Sequence, residues 1–200
     1  MVNLAIFDYG AGNIFSLKNS LEQAGASVDV ITSFDKPNVY SGLLLPGVGN
    51  FDPAIQSINE NSKTKFHDYV KDETPVLGIC LGMEMFFEKS EEGVEKGFNV
   101  IDGEIVVLPS TMKVPHMGWN SINVAHHSPM LNDIATEAYV YFVHSYYVEP
   151  VETKIICTET TYGVPFVSSV AYENVFACQF HPEKSQRIGL QLLRNFGALN

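Results

Sequence analysis

The segment VLGICLGMEMFF (residues 76–87) places a cysteine where the chain changes character. Apolar strand-forming residues precede Cys80, a helix-like segment follows it, and Gly78 and Gly82 stand two residues away on either side. Gly-x-Cys-x-Gly at such a junction has the form of a nucleophile elbow, whose tight turn leaves almost no room for neighbouring side chains. We therefore expect Cys80 to project as a nucleophile above the carboxyl edge of a sheet. A buried core cysteine is the open alternative.

An elbow would also activate the thiol. We expect the helix after Cys80 to direct its N-terminus at the sulfur, which favours the thiolate and lowers the thiol pKa. The amide N–H of Leu81 would be free to face a developing oxyanion.

A cysteine nucleophile requires a base, and the base requires a group that orients it. His181, one of six histidines, follows the apolar strand VFACQF and stands in FHPEK, where Pro182 ends the strand and Glu183 follows. The carboxylate two residues on can hold the imidazole in one tautomer. An exposed His–Pro turn is the alternative. Three other histidines lie in polar segments and are predicted to face solvent: His67, His126 and His127.

The elements that must position these groups follow a regular order. In the first half, apolar strand-like runs alternate with helix-like segments, which predicts a parallel sheet covered on both faces. The second half is rich in sequential β-segments, and a final helix follows Ser185, a candidate cap. Predicted strands are 2–7, 27–32, 42–49 and 76–79, predicted helices include 14–25 and 185–199, and the β-rich segments are 104–109, 121–125, 138–150, 154–160 and 166–180.

The expected fold is α/β: a three-layer α/β/α sandwich with a mixed, mostly parallel, flavodoxin-like central sheet and an antiparallel β extension. The chain has no repeat or linker, so we expect a single domain over residues 1–200.

Composition excludes several classes of protein. With 23 acidic and 12 basic side chains, the net charge of −11 disfavours nucleic acid and anionic membranes as partners. No apolar run approaches the ~18 residues of a membrane span, and the N-terminus lacks a basic leader region. Three separated cysteines match no metal-binding spacing, and an odd number of thiols fits a reducing cytoplasm.

Taken together, GICLGM, FHPE and PGVG (46–49) resemble the class I (triad-type) glutamine amidotransferases. Four more segments resemble one branch of that family, the glutaminase (HisH-type) subunits of imidazole glycerol phosphate synthase. These are DYGAGN (8–13), LPGVGNF (45–51), PHMGWN (115–120) and YFVHSYY (141–147). The resemblance runs nearly from end to end.

The resemblance implies a function that the spacing alone does not. Cys80 would attack the side-chain amide of L-glutamine, His181 would carry the proton to departing ammonia, Glu183 would steady His181, and the thioester would be hydrolysed to glutamate. Ammonia would pass to a (β/α)₈-barrel cyclase subunit that makes imidazole glycerol phosphate and an aminoimidazole carboxamide ribotide in histidine biosynthesis. No metal or organic cofactor is implied.

The resemblance also assigns residues around the triad. Oxyanion donors would come from Leu81, Val48 and Gly49. Substrate contacts would come from Gly47, Glu84, His144, Ser145 and Tyr146. The residues facing the cyclase would be Asn13, Trp119 and Tyr141, with core packing as the open alternative for Trp119.

One position departs from the family pattern. The residue four after the nucleophile is commonly glutamine, whose amide touches the substrate, whereas here it is Glu84. A carboxylate accepts hydrogen bonds but donates none unless it is protonated, and it would raise the pKa of Cys80.

Three other classes of protein remain as alternatives. Gly10-Ala11-Gly12 after a strand resembles a phosphate-binding turn, but Phe15 stands where a dinucleotide fingerprint has its third glycine. Another cysteine hydrolase would share the elbow but has no reason to carry PHMGWN. A catalytically dead binding module would not need Cys80, His181 and Glu183 together. Within the family, a close paralogue that feeds ammonia to another amidation reaction stays open.

Overall fold

The computed structural model describes residues 2–34, 39–58 and 60–199. Strands and helices are interspersed up to residue 84, and strands dominate from there to the last helix. The strands are β1 (Asn3–Phe7), β2 (Ser27–Ile31), β3 (Gly42–Gly47), β4 (Val76–Cys80), β5 (Lys89–Ser90), β6 (Gly103–Val107), β7 (His116–Val124), β8 (Ala138–His144), β9 (Tyr146–Pro150), β10 (Ile156–Tyr162), β11 (Val164–Tyr172) and β12 (Val175–Cys178). The α-helices are α1 (Ile14–Ala24), α2 (Phe51–Ser57), α3 (Glu60–Lys71), α4 (Leu81–Glu84) and α5 (Gln186–Gly197).

The parallel core has the strand order β2-β1-β3-β4-β12. Each neighbouring pair in this group is parallel. The order is that of a flavodoxin-like sheet in which β12 takes the fifth place. From β12 the sheet continues through antiparallel β11, β10, β7 and β8, while β9 joins β11 to β6. The predicted mixed sheet with an antiparallel extension is confirmed.

Alternate residues of the core strands pack against opposite layers of helix. On β1, Ala5 and Phe7 join the apolar cluster of α2 and α3, whereas Leu4 and Ile6 join the cluster of α1 and α5. Because successive side chains of a strand point to opposite faces, both faces of this sheet are buried. The three-layer prediction is therefore confirmed, and parallel β3, β4 and β12 bring their carboxyl ends to one edge.

Three local features differ from the sequence expectations. The helix after Cys80 is one turn long and ends at Glu84. The segment 138–150 is two strands rather than one, separated at Ser145. The β-segment predicted at 121–125 begins five residues earlier, at His116, so that β7 includes most of PHMGWN.

Ser185 precedes α5 as predicted, but its side chain does not cap the helix. Its hydroxyl donates to the carbonyl of His181 at 2.7 Å and accepts from the amide N–H of Tyr141 at 3.0 Å. Ser185 therefore ties the turn after β12 to strand β8.

Across the described residues, the structure contains no helix that combines the length and the apolar character needed to cross a bilayer.

Candidate active site

The turn after β4 is a strained elbow. Cys80 has φ 55° and ψ −112°, a backbone conformation with positive φ that residues other than glycine rarely adopt. A Cβ on Gly82 would lie 1.7 Å from the carbonyl oxygen of Leu45, and one on Gly78 would lie 2.6 Å from the ring of Phe86. Both glycines are therefore required by close packing, as an elbow demands.

The Cys80 sulfur lies in a buried polar niche. It approaches the carbonyl oxygen of Val143 at 3.7 Å and the side-chain nitrogen of Gln179 at 3.8 Å. Burial, and then the carboxylate of Glu84, raise the pKa of the Cys80 thiol well above its ordinary value, although the Leu81 N–H acts to lower it. The expectation that the helix lowers this pKa is therefore wrong, because one turn of helix is outweighed by burial and by a nearby negative charge.

His181 and Glu183 are joined by a short hydrogen bond. The Nδ1 atom of His181 lies 2.8 Å from a carboxylate oxygen of Glu183, and both side chains are almost fully buried. Because a carboxylate only accepts, Nδ1 carries the proton and Nε2 is the basic nitrogen of the neutral ring. Within the described residues this buried Nε2 has no hydrogen-bond partner.

The sheet brings this pair to the same edge as the elbow. β12 is the parallel neighbour of β4, with Cys178 opposite Ile79. Gln179 then reaches across to the Cys80 sulfur, and the chain turns at His181, whose amide N–H donates to the carbonyl of Tyr141 at 2.9 Å. Residues about 100 positions apart are thus positioned by strand pairing.

Glu84 is a buried carboxyl group beside the nucleophile. It accepts a hydrogen bond from the Gln179 side-chain nitrogen at 3.0 Å, and burial raises its pKa to about 8. The hydroxyl of Tyr9 is also buried here, and burial together with Cys80 and Glu84 raises its pKa. Near neutral pH, Glu84 is therefore largely protonated and can donate as well as accept.

A cavity of about 460 Å³ opens beside the elbow. One of its walls is the bend between β8 and β9, formed by residues 143–146. Eight of the residues predicted from the sequence border this cavity: Val48, Gly49, Cys80, Leu81, Glu84, His144, Ser145 and Tyr146. The remaining lining residues were not predicted from the sequence: Asn50, Glu92, Pro115, Val143 and Lys184.

Gly47 does not border the cavity. It pairs with Cys80 in the β3–β4 register, and a Cβ there would lie 2.4 Å from the Tyr9 hydroxyl and 2.7 Å from Leu81. The structure thus places Gly47 behind the nucleophile rather than against the space that a substrate would fill.

The turn after Gly47 is held at Gly47 by strand pairing with Cys80 and at Phe51 by a hydrogen bond, whereas the residues between them are more exposed. Downstream, the Phe51 N–H donates to the Glu92 carboxylate at 2.8 Å, and Asp52 accepts from the backbone N–H groups of Val94 and Glu95. Between these anchors Val48 is 42% exposed, and Gly49 has φ +111°.

The three residues predicted to face a partner are Asn13, Trp119 and Tyr141. Trp119 is 46% exposed, which overturns the core-packing alternative. Its ring meets Tyr141, the residue opposite it in the β7–β8 register, at 6.0 Å and 76°. Tyr141 also lies under the Lys184 ammonium at 5.7 Å. Asn13 is exposed, and its side chain caps α1 by accepting from the N–H of Ser16.

The loop after β1 is closed by its own side chain. The Asp8 carboxylate accepts from the Gly10 N–H at 2.9 Å, so that donor is unavailable to a phosphate. This hydrogen bond, together with the repulsion between the Asp8 carboxylate and a phosphate group, argues against the dinucleotide-binding alternative.

A comparison with protein families decides the class. Residues 5–198 match the model described as "Glutamine amidotransferase class-I". The chain belongs to the class-I glutamine amidotransferases. Curated relatives place this amidotransferase in one branch: it is 43% identical over 197 residues to "Imidazole glycerol phosphate synthase subunit HisH" of Desulfitobacterium hafniense, covering 97% of this chain and 93% of the relative.

Other curated relatives carry the same name. The HisH subunit of Archaeoglobus fulgidus is 41% identical over 196 residues, with 96% of each chain covered. That of Aquifex aeolicus is 42% identical over 194 residues, covering 96% of this chain and 94% of the relative. The amidotransferase is thus a HisH-type glutaminase subunit, as the sequence motifs predict.

Solved structures support the fold. The amidotransferase aligns with a chain of "PurLQS from Thermotoga maritima" at a TM-score of 0.79 and 16% identity, covering 98% of this chain and 97% of that one. A crystal structure described as "glutamine amidotransferase" aligns at a TM-score of 0.76 and 12% identity, covering 98% of this chain and 99% of that one.

Replacing Glu84 by glutamine is expected to move the pH profile of glutamine kcat/KM toward lower pH. Glu84 gains its negative charge only as pH rises through about 8, and that charge raises the pKa of Cys80. The variant carries no charge there, so Cys80 gives its proton to His181 more easily and the rising limb of the profile is complete at lower pH. Steady-state kinetics across pH measure the shift. The control is Glu88→Gln, which removes a partly exposed carboxylate bound to Lys96 and should leave the profile in place.

Protein stability gives a second measurement that does not involve glutamine. The unfolded chain loses the Glu84 proton near the ordinary pKa of 4.5, whereas the folded chain keeps it to about 8. The contribution of wild-type Glu84 to stability is therefore full below pH 4.5 and falls as pH rises toward 8. Glu84→Gln should gain thermal stability relative to wild type between about pH 5 and about pH 8.5. If the melting temperatures of Glu84→Gln and wild type differed by the same amount at about pH 5 and at about pH 8.5, Glu84 would not be held protonated in the folded chain.

Proposed function

We propose that Cys80, His181 and Glu183 are the catalytic triad of this glutaminase subunit, and that its ammonia serves the cyclase subunit of an imidazole glycerol phosphate synthase. One observation carries the triad: a buried histidine, oriented by a carboxylate at 2.8 Å, keeps an unpartnered basic Nε2 at the sheet edge where the strained elbow presents Cys80.

The raised pKa of Cys80 fits proton transfer during attack rather than a preformed thiolate. In this proposal, Cys80 Sγ bonds to the amide carbon of glutamine while its proton passes to His181 Nε2. That proton then leaves with ammonia as the C–N bond breaks, and the remaining thioester is hydrolysed by water to glutamate. Glu183 keeps the proton on Nδ1 throughout, so Nε2 alone exchanges it.

The oxyanion of the tetrahedral intermediate would be bound between two backbone segments. The Leu81 N–H already lies at the sulfur. The peptides of Val48 and Gly49 border the same cavity and are the candidates for the opposing donor.

The proposed partner is a (β/α)₈-barrel cyclase that binds around Asn13, Trp119 and Tyr141. An exposed tryptophan supported by a second aromatic ring is typical of an interface anchor. The backbone of Tyr141 bonds to both Ser185 and His181, so this surface is continuous with the catalytic turn. The three buried free cysteines support a reducing compartment, which for this pathway we take to be the cytoplasm.

The experiment combines this chain with a cyclase subunit, L-glutamine and the nucleotide substrate of the cyclase. We expect equal amounts of glutamate and imidazole glycerol phosphate. Glutamate without imidazole glycerol phosphate would point to another ammonia acceptor, and absence of both would overturn the proposal.

Trp119→Ala is expected to weaken cyclase binding by at least about thirtyfold, because truncating a central aromatic anchor typically costs a complex about 2 kcal/mol or more. Titration calorimetry measures the affinity. The matched control, Val151→Ala, truncates an apolar side chain that is 77% exposed at the end of β9 and should leave the affinity unchanged. Equal affinity for wild type and Trp119→Ala would place the interface elsewhere.

A further inference from the structure

Two buried histidines pair across β7 and β8. His116 and His144 are opposite in the register, with His116 Nδ1 2.9 Å from His144 Nε2. They are 3% and 5% exposed. His144 borders the cavity, whereas His116 lies behind it, stacked on Tyr162 at 4.0 Å between ring centroids. The proposed triad does not use this pair.

One end of the pair fixes the direction of its hydrogen bonds. The Nδ1 atom of His144 lies 2.7 Å from the carbonyl oxygen of Tyr146. A carbonyl only accepts, so His144 carries its proton on Nδ1 and presents a bare Nε2 when the ring is neutral. His116 must then donate from its own Nδ1.

The other end fixes the same direction independently. The Ser121 N–H donates to the Asn120 side-chain oxygen at 2.8 Å, which turns the Asn120 nitrogen the other way. That nitrogen donates to the carbonyl of Thr161 at 3.0 Å and faces His116 Nε2 at 3.4 Å. His116 therefore accepts at Nε2 and donates at Nδ1, in agreement with the requirement from Tyr146.

The chain of hydrogen bonds requires both rings to be neutral. Burial lowers the pKa of His116 to about 4 and that of His144 to about 3. An added proton on His144 would also direct two N–H groups at each other. At the pH of a cell, the order Asn120→His116→His144→Tyr146 is thus the single arrangement that satisfies every ring nitrogen.

The last bond of this order spans the bend that forms the cavity wall. His144 and Tyr146 flank Ser145, where β8 ends and β9 begins. The Ser145 carbonyl accepts from the Leu108 N–H at 2.9 Å, and the Val143 carbonyl faces the Cys80 sulfur at 3.7 Å. The shape of this wall therefore depends on the His144 ring keeping one tautomer and one orientation.

We propose that His116 is a positioning residue for the substrate: by donating one hydrogen bond to His144, it holds the bend at Ser145 in the shape that binds glutamine. This inference rests on the proposed function. It extends that function to a residue that does not border the cavity.

The test is His116→Leu, which keeps an apolar side chain against Tyr162 but leaves His144 Nε2 without a donor. We expect the KM for glutamine to rise about tenfold with a smaller change in kcat, the effect of losing one buried hydrogen bond that shapes a binding wall. His116→Asn places an amide nitrogen near the position of Nδ1 and should restore KM to within about threefold of wild type.

The matched control is His126→Leu. His126 also bonds a backbone carbonyl, that of Ile156 at 2.8 Å, but it does not border the cavity. Its removal should leave KM unchanged. An unchanged KM in His116→Leu, or an equal rise in all three variants, would overturn the inference.

Nitrogen NMR of the wild-type protein tests the same inference even where a variant fails to fold. We expect both His116 and His144 to be protonated at Nδ1 alone, from about pH 6 to about pH 8. A proton on Nε2 of either ring would overturn the chain of hydrogen bonds. The outcomes separate the two proposals: a wild-type complex inactive on glutamine overturns the proposed function, whereas an active complex whose His116→Leu variant keeps its KM overturns this inference alone.

Discussion

Cys80→Ala is expected to abolish glutamine hydrolysis while leaving the fold and cyclase binding intact. Removing the nucleophile of a triad lowers kcat on the order of 10⁴-fold or more, because no other group can form the covalent intermediate. The change is sterically small, and the sulfur makes only weak contacts with Val143 and Gln179. Glutamate release measures the loss, and circular dichroism with a binding titration shows that the fold and the interface remain.

The other two cysteines provide matched controls. Cys157 and Cys178 are buried, burial raises the pKa of both thiols, and neither borders the active-site cavity. Cys157→Ala and Cys178→Ala should therefore keep glutaminase activity, and an electrophilic glutamine analogue should label Cys80 alone. Labelling at either of the others, or hydrolysis by Cys80→Ala, would remove Cys80 from the triad.

The elbow could be predicted from sequence because a glycine two residues to either side of the nucleophile is the pattern of such a turn. Gly78 is excluded from carrying a Cβ by Gly82 and Phe86, which follow it directly in the chain, whereas Gly82 is excluded by the Leu45 carbonyl of neighbouring β3, a contact that the sequence does not show. His181 and Glu183 are similarly two residues apart. The parallel core could also be predicted, because apolar strands that alternate with helices along the chain are typical of a parallel sheet.

The pKa of Cys80 could be predicted only in part. The expectation that Glu84, four residues after the nucleophile, raises this pKa is confirmed, but the larger effect of burial depends on packing between layers. The His116–His144 pair also has no sequence signature, since it depends on the register of two strands 28 residues apart. Electrostatics and cross-strand networks are thus the part of this site that required the structure.

The isolated chain is expected to hydrolyse glutamine slowly and to be stimulated at least about tenfold by the cyclase with its bound nucleotide. Loss of one oxyanion donor costs on the order of 10²–10³ in kcat, so a misdirected peptide near Val48 is an effective off-switch. Dormancy also fits the chemistry, because ammonia released without an acceptor is wasted.

The structure confines the freedom required for such a switch to a few peptides. Gly47 is packed beside Tyr9 and Leu81, and its lack of a side chain serves that close approach. Glu92 holds the N–H of Phe51 on the downstream side. Gly49 has open space around its Cα and a positive φ, so rotation of the peptides on either side of it meets little steric resistance.

A docking partner has a short physical route to this turn. A Cβ on Gly12 would lie 3.4 Å from the carbonyl group of Pro46, so the loop that ends at exposed Asn13 packs directly against the start of the turn. A bound cyclase that displaces Asn13 would therefore also displace Pro46 and Gly47. Gly47 is paired with Cys80 in the β3–β4 register.

The measurement is the steady-state glutaminase rate of the chain alone, with cyclase, and with cyclase plus its nucleotide. Trp119→Ala should reduce the stimulation at a fixed, subsaturating cyclase concentration, and Val151→Ala, a change at the exposed end of β9, should not. Raising the cyclase concentration should restore the Trp119→Ala rate if the tryptophan contributes affinity alone, whereas a lower plateau would show that it also helps to turn the Val48 peptide. An isolated chain that already works at the stimulated rate would show that the oxyanion site is complete without a partner, and the freedom at Gly49 would then have no role in control.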